Sequence, residues 1–571
     1  MHSSVLDLIY QRVGIYGDRD AVSTFRDGAW QAMSFEDVRK GAHRLSNYLI
    51  SKGIERGDRI AIICESSAEF GVVFFSCARA GGTLVPLDPK LSTPELLLLV
   101  LDSRPRVLFC SRQFADAAKE IRAACDFIER LILTDAQTGD DELEALPEVS
   151  THILQQGRER EADETALIVY TSGSTGAPKG AMITFHNLIF QAQQFKKWFE
   201  PTTNDVFLST LPMNHLLEFT AGYLAALYAG AQICYISSPL PGDILRAIKE
   251  KRVTFMIVVP TFLQLIANHI DRIMLRKTST QMRSFQFKVG LAKLLPARLR
   301  KKFFPEIAHL FGKQFKGFVS SGAPLASTLA RGLDSLGINV YQGYGLTETS
   351  SLISTNSEEN FRLSSAGKPL PEIDVRISNS LGAEADGEGD GEGDGQGGGD
   401  GDGGCEGEIL TRGAHVMKGY FQNDVLTSQC IDSDGWLHTG DLGRFDDDGF
   451  LHITGRLVDL IVLADGKKVH PREIESFLVS SSFVKDICVL SAKNPVTQAD
   501  EMVAVVVPYK LDDHYIAAAR KDIDQICRTL DSFKKPKRIA FSTRDLPHTQ
   551  SGNVKRQEVA RLLECEGAVI K

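Results

Sequence analysis

The sequence predicts an α/β protein: a large N-terminal domain of layered β/α subdomains followed by a small α+β C-terminal domain. Three observations predict it. Helix-like and strand-like segments alternate from the N-terminal part onward. The strand candidates are short unbroken apolar runs, as in parallel sheets covered on both faces. After about Asp441 the text changes to short strands and turns.

The elements follow in order. "SFEDVRKGAHRLSNYLISKG" has helical periodicity, with Ser34 as its cap and Gly53 as its stop. "DRIAIIC" reads as a buried strand, "SAEFGVVFFSCARAG" as a helix and "TLVPLD" as the next strand. The same rhythm returns around "AQICYI" and "RVTFMIVVP", which implies parallel strands in α/β layers. Beyond Asp441, "GRFDDDGFLHITGR" reads as strands and a turn, with helices expected near 471–478 and 516–530.

At 571 residues the chain is long enough for two domains, and its 43% hydrophobic content is ample for their cores. "MHSSVLDLIYQRVGIYGDRD" has neither a basic n-region nor an apolar h-region, so no signal peptide is expected. No stretch approaches the roughly 18 apolar residues of a membrane span. Ten scattered cysteines without C-x-x-C spacing argue against zinc or a disulfide framework, and point to reduced thiols in a cytoplasmic protein.

The net charge of −9 has a local origin. Nine acids and no base lie between Glu384 and Glu406, and the 64 acids that remain equal the 64 Lys and Arg. The Gly/Asp/Glu tract 383–405 cannot form a core and is expected to be a disordered surface insertion. A calcium repeat would need a periodic apolar residue, which the tract lacks. The opposite composition runs from Arg272 to Lys302, with ten bases and no acids among Ile, Met, Leu and Phe. A solvated helical excursion is the preferred reading of 272–302, and a peripheral contact with an anionic membrane is the other.

"YTSGSTGAPKGAMI", Tyr170–Ile183, puts hydroxyls, glycine N–H groups and one lysine into a loop after the apolar run "TALIVY". Such a loop suits phosphate. It is not a P-loop: counting from Gly173, the second glycine position holds Pro178, and Lys179 is followed by Gly180.

Five further strings follow in order: "SSGAPL", "YQGYGLTETS", "GEILTRGAHVMKGYF", "GWLHTGDLGRFDDDGFLHITGR" and "GKKVHPREIE". Together with the loop they resemble the acyl-adenylate-forming (AMP-binding) superfamily, over nearly the whole chain, and most of all its medium- to long-chain fatty acyl-CoA synthetases. The resemblance implies a distorted β-barrel within the N-terminal domain, residues 1–456, and a mobile C-terminal domain, 457–571. It implies ATP, Mg²⁺ and coenzyme A as partners of a small-molecule carboxylic acid, with no nucleic acid. The acid attacks the α-phosphorus of ATP to give acyl-AMP and pyrophosphate, and coenzyme A then displaces AMP. Cations and N–H donors must offset the charge gathered in the first step.

Residue by residue, Thr171, Ser172, Gly173, Ser174, Thr175, Gly176 and Lys179 match the phosphate loop. Gly322, Ala323 and Pro324 match the backbone lining adenine. Tyr344 matches the ring stacked on it, with Gly345 beside it in the same motif. Thr347 matches the α-phosphate donor and Glu348 the Mg²⁺ ligand. Asp441 matches the carboxylate accepting both ribose hydroxyls, and Arg456 the nearby cation. His215 falls where a His or aromatic residue lies beside the reacting carboxylate. Adenylation domains for α-amino acids carry an aspartate thirteen residues before a glycine equivalent to Gly230. That position is Leu217, which disfavours such substrates, although Glu218 is adjacent.

Two positions depart from the family pattern. In "LPHTQSGNVKR", Asn553 stands where a lysine reaches between carboxylate and α-phosphate, and Lys555 is two residues away. Val458 stands where a Lys or Asp marks the hinge, and a β-branched residue is stiffer there. These departures leave open a weakly active acyl-adenylate- or nucleotide-binding protein. An acyl-carrier-protein ligase would share every nucleotide motif and remains the enzymatic alternative.

Overall fold

The computed structural model describes residues 15–135, 143–146, 160–171, 178–236, 238, 240–275, 279–292, 300, 303–378, 406–463, 468–479, 481–494, 500–548, 554–564 and 569–570. Ser172, Gly173, Ser174, Thr175, Gly176, Asn553 and the acidic tract 383–405 lie outside the described residues.

Chain contacts divide the protein into two compact units. The larger comprises Met1–Leu363, Gly367–Asp374 and Arg412–Leu437, and the smaller Ser364–Ala366, Val375–Thr411 and His438–Lys571.

The larger unit is built on two sheets. One has nine strands, and at its centre Val206–Ser209, Gln232–Ile236, Phe255–Val258, Gly317–Ser320 and Val340–Tyr344 run parallel. The other has eight, and it includes the parallel strands Arg59–Ile63, Thr83–Pro86 and Val107–Cys110. The expected α/β layering is therefore present. The helix after Ser34 runs Phe35–Ser51 and opens with a capping box, in which the Ser34 hydroxyl accepts from Asp37 N and the Asp37 carboxylate accepts from Ser34 N. The helix Ala68–Ala80 is buried along all but one of its residues and stops at Gly81, whose φ of 95° favours glycine.

In the smaller unit, Asp374–Ser378, Gly407–Arg412, Leu437–Phe445 and Leu451–Arg456 form a four-stranded sheet, in the region where a barrel was expected. A second four-stranded sheet contains Val484–Lys493, Asp500–Pro508 and Arg538–Ser542. Against it pack the helices Pro471–Leu478 and Asp513–Cys527. The latter begins three residues before the expected 516 because the Asp512 carboxylate caps it, accepting from Tyr515 N at 2.8 Å.

Part of the basic segment is helical, in Pro260–Leu275 and Ser279–Ala292. Phe285, Val289 and Ala292 of the second helix pack on the core, while Phe287 and Leu291 face solvent. Among the described residues no helix is long and apolar enough to cross a membrane.

A candidate adenylation site

The parallel strands of the nine-stranded sheet collect three of the predicted groups at one edge. His215 lies in the loop after Val206–Ser209. Gly322, Ala323 and Pro324 follow Gly317–Ser320, and Tyr344 ends Val340–Tyr344. These strands run parallel, so all three loops leave from carboxyl ends, where open α/β sheets bind ligands. Gly322 has φ 86°. Gly345 has no room for a side chain, since a Cβ there would meet Ser351 O at 1.6 Å.

The strands that flank residues 172–177 belong to the other sheet. Thr171 pairs with Lys179 across the antiparallel strands Thr165–Thr171 and Lys179–Thr184, so strand, loop and strand form a hairpin. A P-loop runs strand, loop, helix; here the helix Phe185–Phe199 begins only after the second strand.

The strand Gly419–Tyr420 adds to this hairpin, with Tyr420 opposite Ala181. Its phenol donates to Glu348 Oε1 at 2.7 Å. Burial, with the Glu348 carboxylate beside it, raises the Tyr420 phenol well above its ordinary value. Cys430 lies close by. Burial pushes its thiol up to about 11, the Glu348 carboxylate adds to the rise and the Lys179 ammonium opposes it. Lys179 and Glu348 therefore both act on one neighbourhood. Thr347 and Glu348 sit in the short 3₁₀ turn Thr347–Thr349.

Two buried amides on the helix Phe185–Phe199 fix these loops. Asn187 Nδ2 donates to Ala414 O at 2.8 Å and Val416 O at 2.9 Å. Gln191 Nε2 donates to Thr349 O at 2.9 Å and Leu352 O at 2.8 Å. Met417 N closes the arrangement by donating to Glu348 O at 2.8 Å.

His215 is half-buried. Burial lowers its imidazole below the ordinary histidine value; the Asp88 carboxylate pulls the other way, and the Lys90 ammonium lowers it further. Asp88 is 7% exposed, and one of its carboxylate oxygens has no partner among the described residues. Its other oxygen accepts from Lys90 N at 2.9 Å.

In the smaller unit, Asp441 and Arg456 are cross-strand partners, and Arg456 Nε donates to Asp441 Oδ1 at 2.9 Å. Asp441 is 5% exposed. Its backbone N–H is held by the Thr439 hydroxyl at 3.1 Å. Val458, by contrast, is 83% exposed in the turn Leu457–Asp459. Lys555 Nζ donates to Glu558 at 2.9 Å.

Residues 10–421 match the AMP-binding enzyme family, and residues 473–553 match the AMP-binding enzyme C-terminal domain. The chain belongs to the AMP-binding enzyme family. It is 28% identical over 536 residues to a feruloyl-CoA synthase of Amycolatopsis sp, covering 93% of this chain and 94% of that one. It is 24% identical over 572 residues to the medium-chain fatty-acid–CoA ligase of Escherichia coli strain K12, covering 96% and 91%. Among solved structures, ATP-bound MatB from Rhodopseudomonas palustris superposes with a TM-score of 0.74 at 25% identity, covering 97% of this chain and 98% of that one. This AMP-binding enzyme is an ATP-dependent acyl-CoA ligase, and ATP, Mg²⁺ and coenzyme A are its cofactor and co-substrates. Mg²⁺ ordinarily keeps several waters and takes one or two carboxylates plus substrate phosphates.

Sequence reading passed over several residues of this AMP-binding enzyme. Tyr420 stands in a quoted motif, "MKGYF", but only the added strand shows that it reaches Glu348. Asp88 ends the strand segment "TLVPLD" and Lys90 follows Pro89, and no local pattern marks either for a site. In the sequence Glu218 reads only as a candidate partner for a substrate ammonium. It is fully buried, with its carboxyl bonded to Ser209 and Tyr235.

Proposed function

We propose that this acyl-CoA ligase activates a medium- to long-chain fatty acid. The observation that carries the reading is the segment after His215. From Leu216 to Ala231 it holds one charged residue, Glu218, and no base. The Glu218 carboxyl is already engaged by Ser209 and Tyr235. Such a segment offers an acid neither a cation for a second carboxylate nor a free acid for an ammonium, and suits an apolar tail. The names of the Escherichia coli relative and of the long-chain-fatty-acid–CoA ligase FadD13 of Mycobacterium tuberculosis, 26% identical, support it. The feruloyl-CoA synthase relative favours an aryl acid instead, and that is the second reading.

In this reading Thr171 and Lys179, with the loop between them, take the β- and γ-phosphates. Glu348 takes the Mg²⁺ they carry, and Thr347 donates to the α-phosphate. Tyr344, Gly345 and Gly322–Pro324 take the adenine. Asp441 exchanges its bond from Arg456 for bonds from the ribose hydroxyls, and the guanidinium turns toward phosphate. His215 donates to the acid's carboxylate and orients it for attack. Residues 457–571 form the moving part, turning at Val458 between the two half-reactions, with Asn553 as its adenylation contact.

The test is a panel of straight-chain, aryl and dicarboxylic acids, assayed with and without coenzyme A by release of pyrophosphate and AMP. Highest kcat/KM on C8–C18 acids supports the reading; a preference for ferulate or another aryl acid replaces it with the second. AMP release that needs a carrier protein in place of coenzyme A would mark the acyl-carrier alternative. The nucleotide assignment has its own check. Asp441→Ala is expected to weaken ATP binding about 10- to 150-fold, the loss of charged hydrogen bonds of about 1.5–3 kcal/mol. Unchanged affinity by calorimetry would sink the ribose role of Asp441.

A further inference from the structure

The loop that carries His215 is braced from several sides. The strand Val206–Ser209 ends at Ser209, whose hydroxyl accepts from Leu211 N at 3.1 Å. The Ser66 hydroxyl donates to Leu211 O at 2.8 Å and accepts from Met213 N at 2.9 Å. His215 N donates to Pro212 O and Phe219 N to His215 O, both at 3.0 Å. The chain then enters a π-helix, Leu217–Leu224, a wide turn that is rare and is frequent at functional sites.

Glu218 stands in the first turn of that π-helix, and its carboxyl reaches back across the loop. One oxygen is bonded to the Ser209 hydroxyl, and the other accepts from the Tyr235 hydroxyl at 3.2 Å. The space it occupies is made by Gly222, where a Cβ would come within 2.5 Å of Glu218 Oε1. The carboxyl thus joins the residue before the loop to the residue after it.

We propose that Glu218 is a positioning residue: by joining Ser209 to the first turn of the π-helix, its carboxyl closes the Ser209–Glu218 loop into a fixed frame for His215. The proposal rests on the reading that His215 contacts the acyl substrate. It also accounts for an acid in an otherwise apolar segment. The Ser209 and Tyr235 hydroxyls meet the carboxyl; Tyr223, in the same π-helix, and Cys234, beside Tyr235 on its strand, are the other titratable groups acting there among the described residues. Among the described residues no cation acts on Glu218, and burial raises its carboxyl to about 8. The acid is therefore protonated at neutral pH. Its ionisation above pH 8 would place a bare charge in the core, draw in water and loosen the frame.

The sign of the linkage follows. The folded state holds this proton more tightly than the unfolded chain, so the group's contribution to stability is fully present below about pH 4.5. It declines as pH rises and is lost by about pH 8.

The test is adenylation kinetics by acid-dependent pyrophosphate release, from pH 6 to pH 9.5. Glu218→Ala is expected to lower kcat/KM about tenfold at pH 7. Glu218→Gln, which keeps the shape and cannot ionise, should recover most of that loss and remove an alkaline fall present in the wild type near pH 8. A double-mutant cycle with His215→Ala isolates the coupling. If Glu218 acts through His215, the double variant His215→Ala/Glu218→Ala is no slower than His215→Ala. Multiplicative losses, or an alkaline fall that persists in Glu218→Gln, overturn the proposal and leave the role of His215 standing. Full activity in His215→Ala overturns both. If Glu218→Ala does not fold, the Gln variant's pH profile decides alone.

Discussion

Asn553→Lys is expected to raise acid-dependent pyrophosphate release about 30-fold, the lower end of what a charge-assisted contact at a transition state contributes, about 2–4 kcal/mol. Asparagine at this position can donate a hydrogen bond but brings no charge to the anionic α-phosphate. Coenzyme A capture of preformed acyl-AMP should change little if, as proposed, the residue acts in the first half-reaction. The neighbouring cation is already occupied: Lys555 Nζ donates to Glu558 at 2.9 Å, on the helix Arg556–Glu564. Both residues are well exposed, so that bond is weak and would yield to a phosphate. The control is therefore Lys555→Ala. An unchanged rate in Asn553→Lys together with a lost rate in Lys555→Ala would show that Lys555 has taken the role. A loss of activity in Asn553→Lys would show a pocket rebuilt around a neutral residue.

Arg556→Ala is expected to destabilise the smaller unit by about 3–5 kcal/mol, the cost of stranding a buried charge. Arg556 Nη2 donates to both oxygens of Glu475 at 2.7 Å, and Nη1 donates to Asp459 at 3.3 Å. Glu475 also accepts from Val489 N at 2.7 Å. The arginine thus joins three segments: the turn Leu457–Asp459, the helix Pro471–Leu478 and the strand Val484–Lys493. Removing it leaves two carboxylates facing the space it held. Calorimetry should resolve a transition of the smaller unit lowered by roughly 10 °C, at a few degrees per kcal/mol for a unit of this size. Replacing Arg556 and Glu475 together by methionine should recover most of the loss, because well-packed apolar residues can substitute for a buried ion pair. An unshifted transition in Arg556→Ala would mean that the network carries little of the stability.

The fold was legible where local pattern and tertiary structure agree. Ser34, Gly53 and Gly81 mark their helix ends by chemistry that acts within a few residues. The parallel strands read as apolar runs because both of their faces are covered. The grouping of Val375–Thr411 with His438–Lys571 was not legible, because it depends on strands pairing across long stretches of sequence. The site divides in the same way. Asp441 and Arg456 stand in one continuous motif and prove to be cross-strand partners. Glu218 carried no such signal. Its partners lie on two strands, nine and seventeen residues away, and their side chains meet only once the sheet has formed.

The two amides on Phe185–Phe199 have a consequence for hydrogen exchange. The segments 346–352 and 413–417 are irregular, and irregular surface loops commonly exchange their amide protons quickly through small local openings. Here Asn187 and Gln191 tie their carbonyls to a core helix, and Met417 N is bonded to Glu348 O. Opening either segment must break bonds to that helix, so the two should open together as one cooperative unit. In deuterium, the Met417 and Ser351 amides should be protected to the level of the strand Thr165–Thr171. Gln191→Leu, which keeps the apolar volume and removes the donor, should speed exchange in both segments at once. Fast exchange of Met417 in the unaltered protein would show that the loops move independently of the helix.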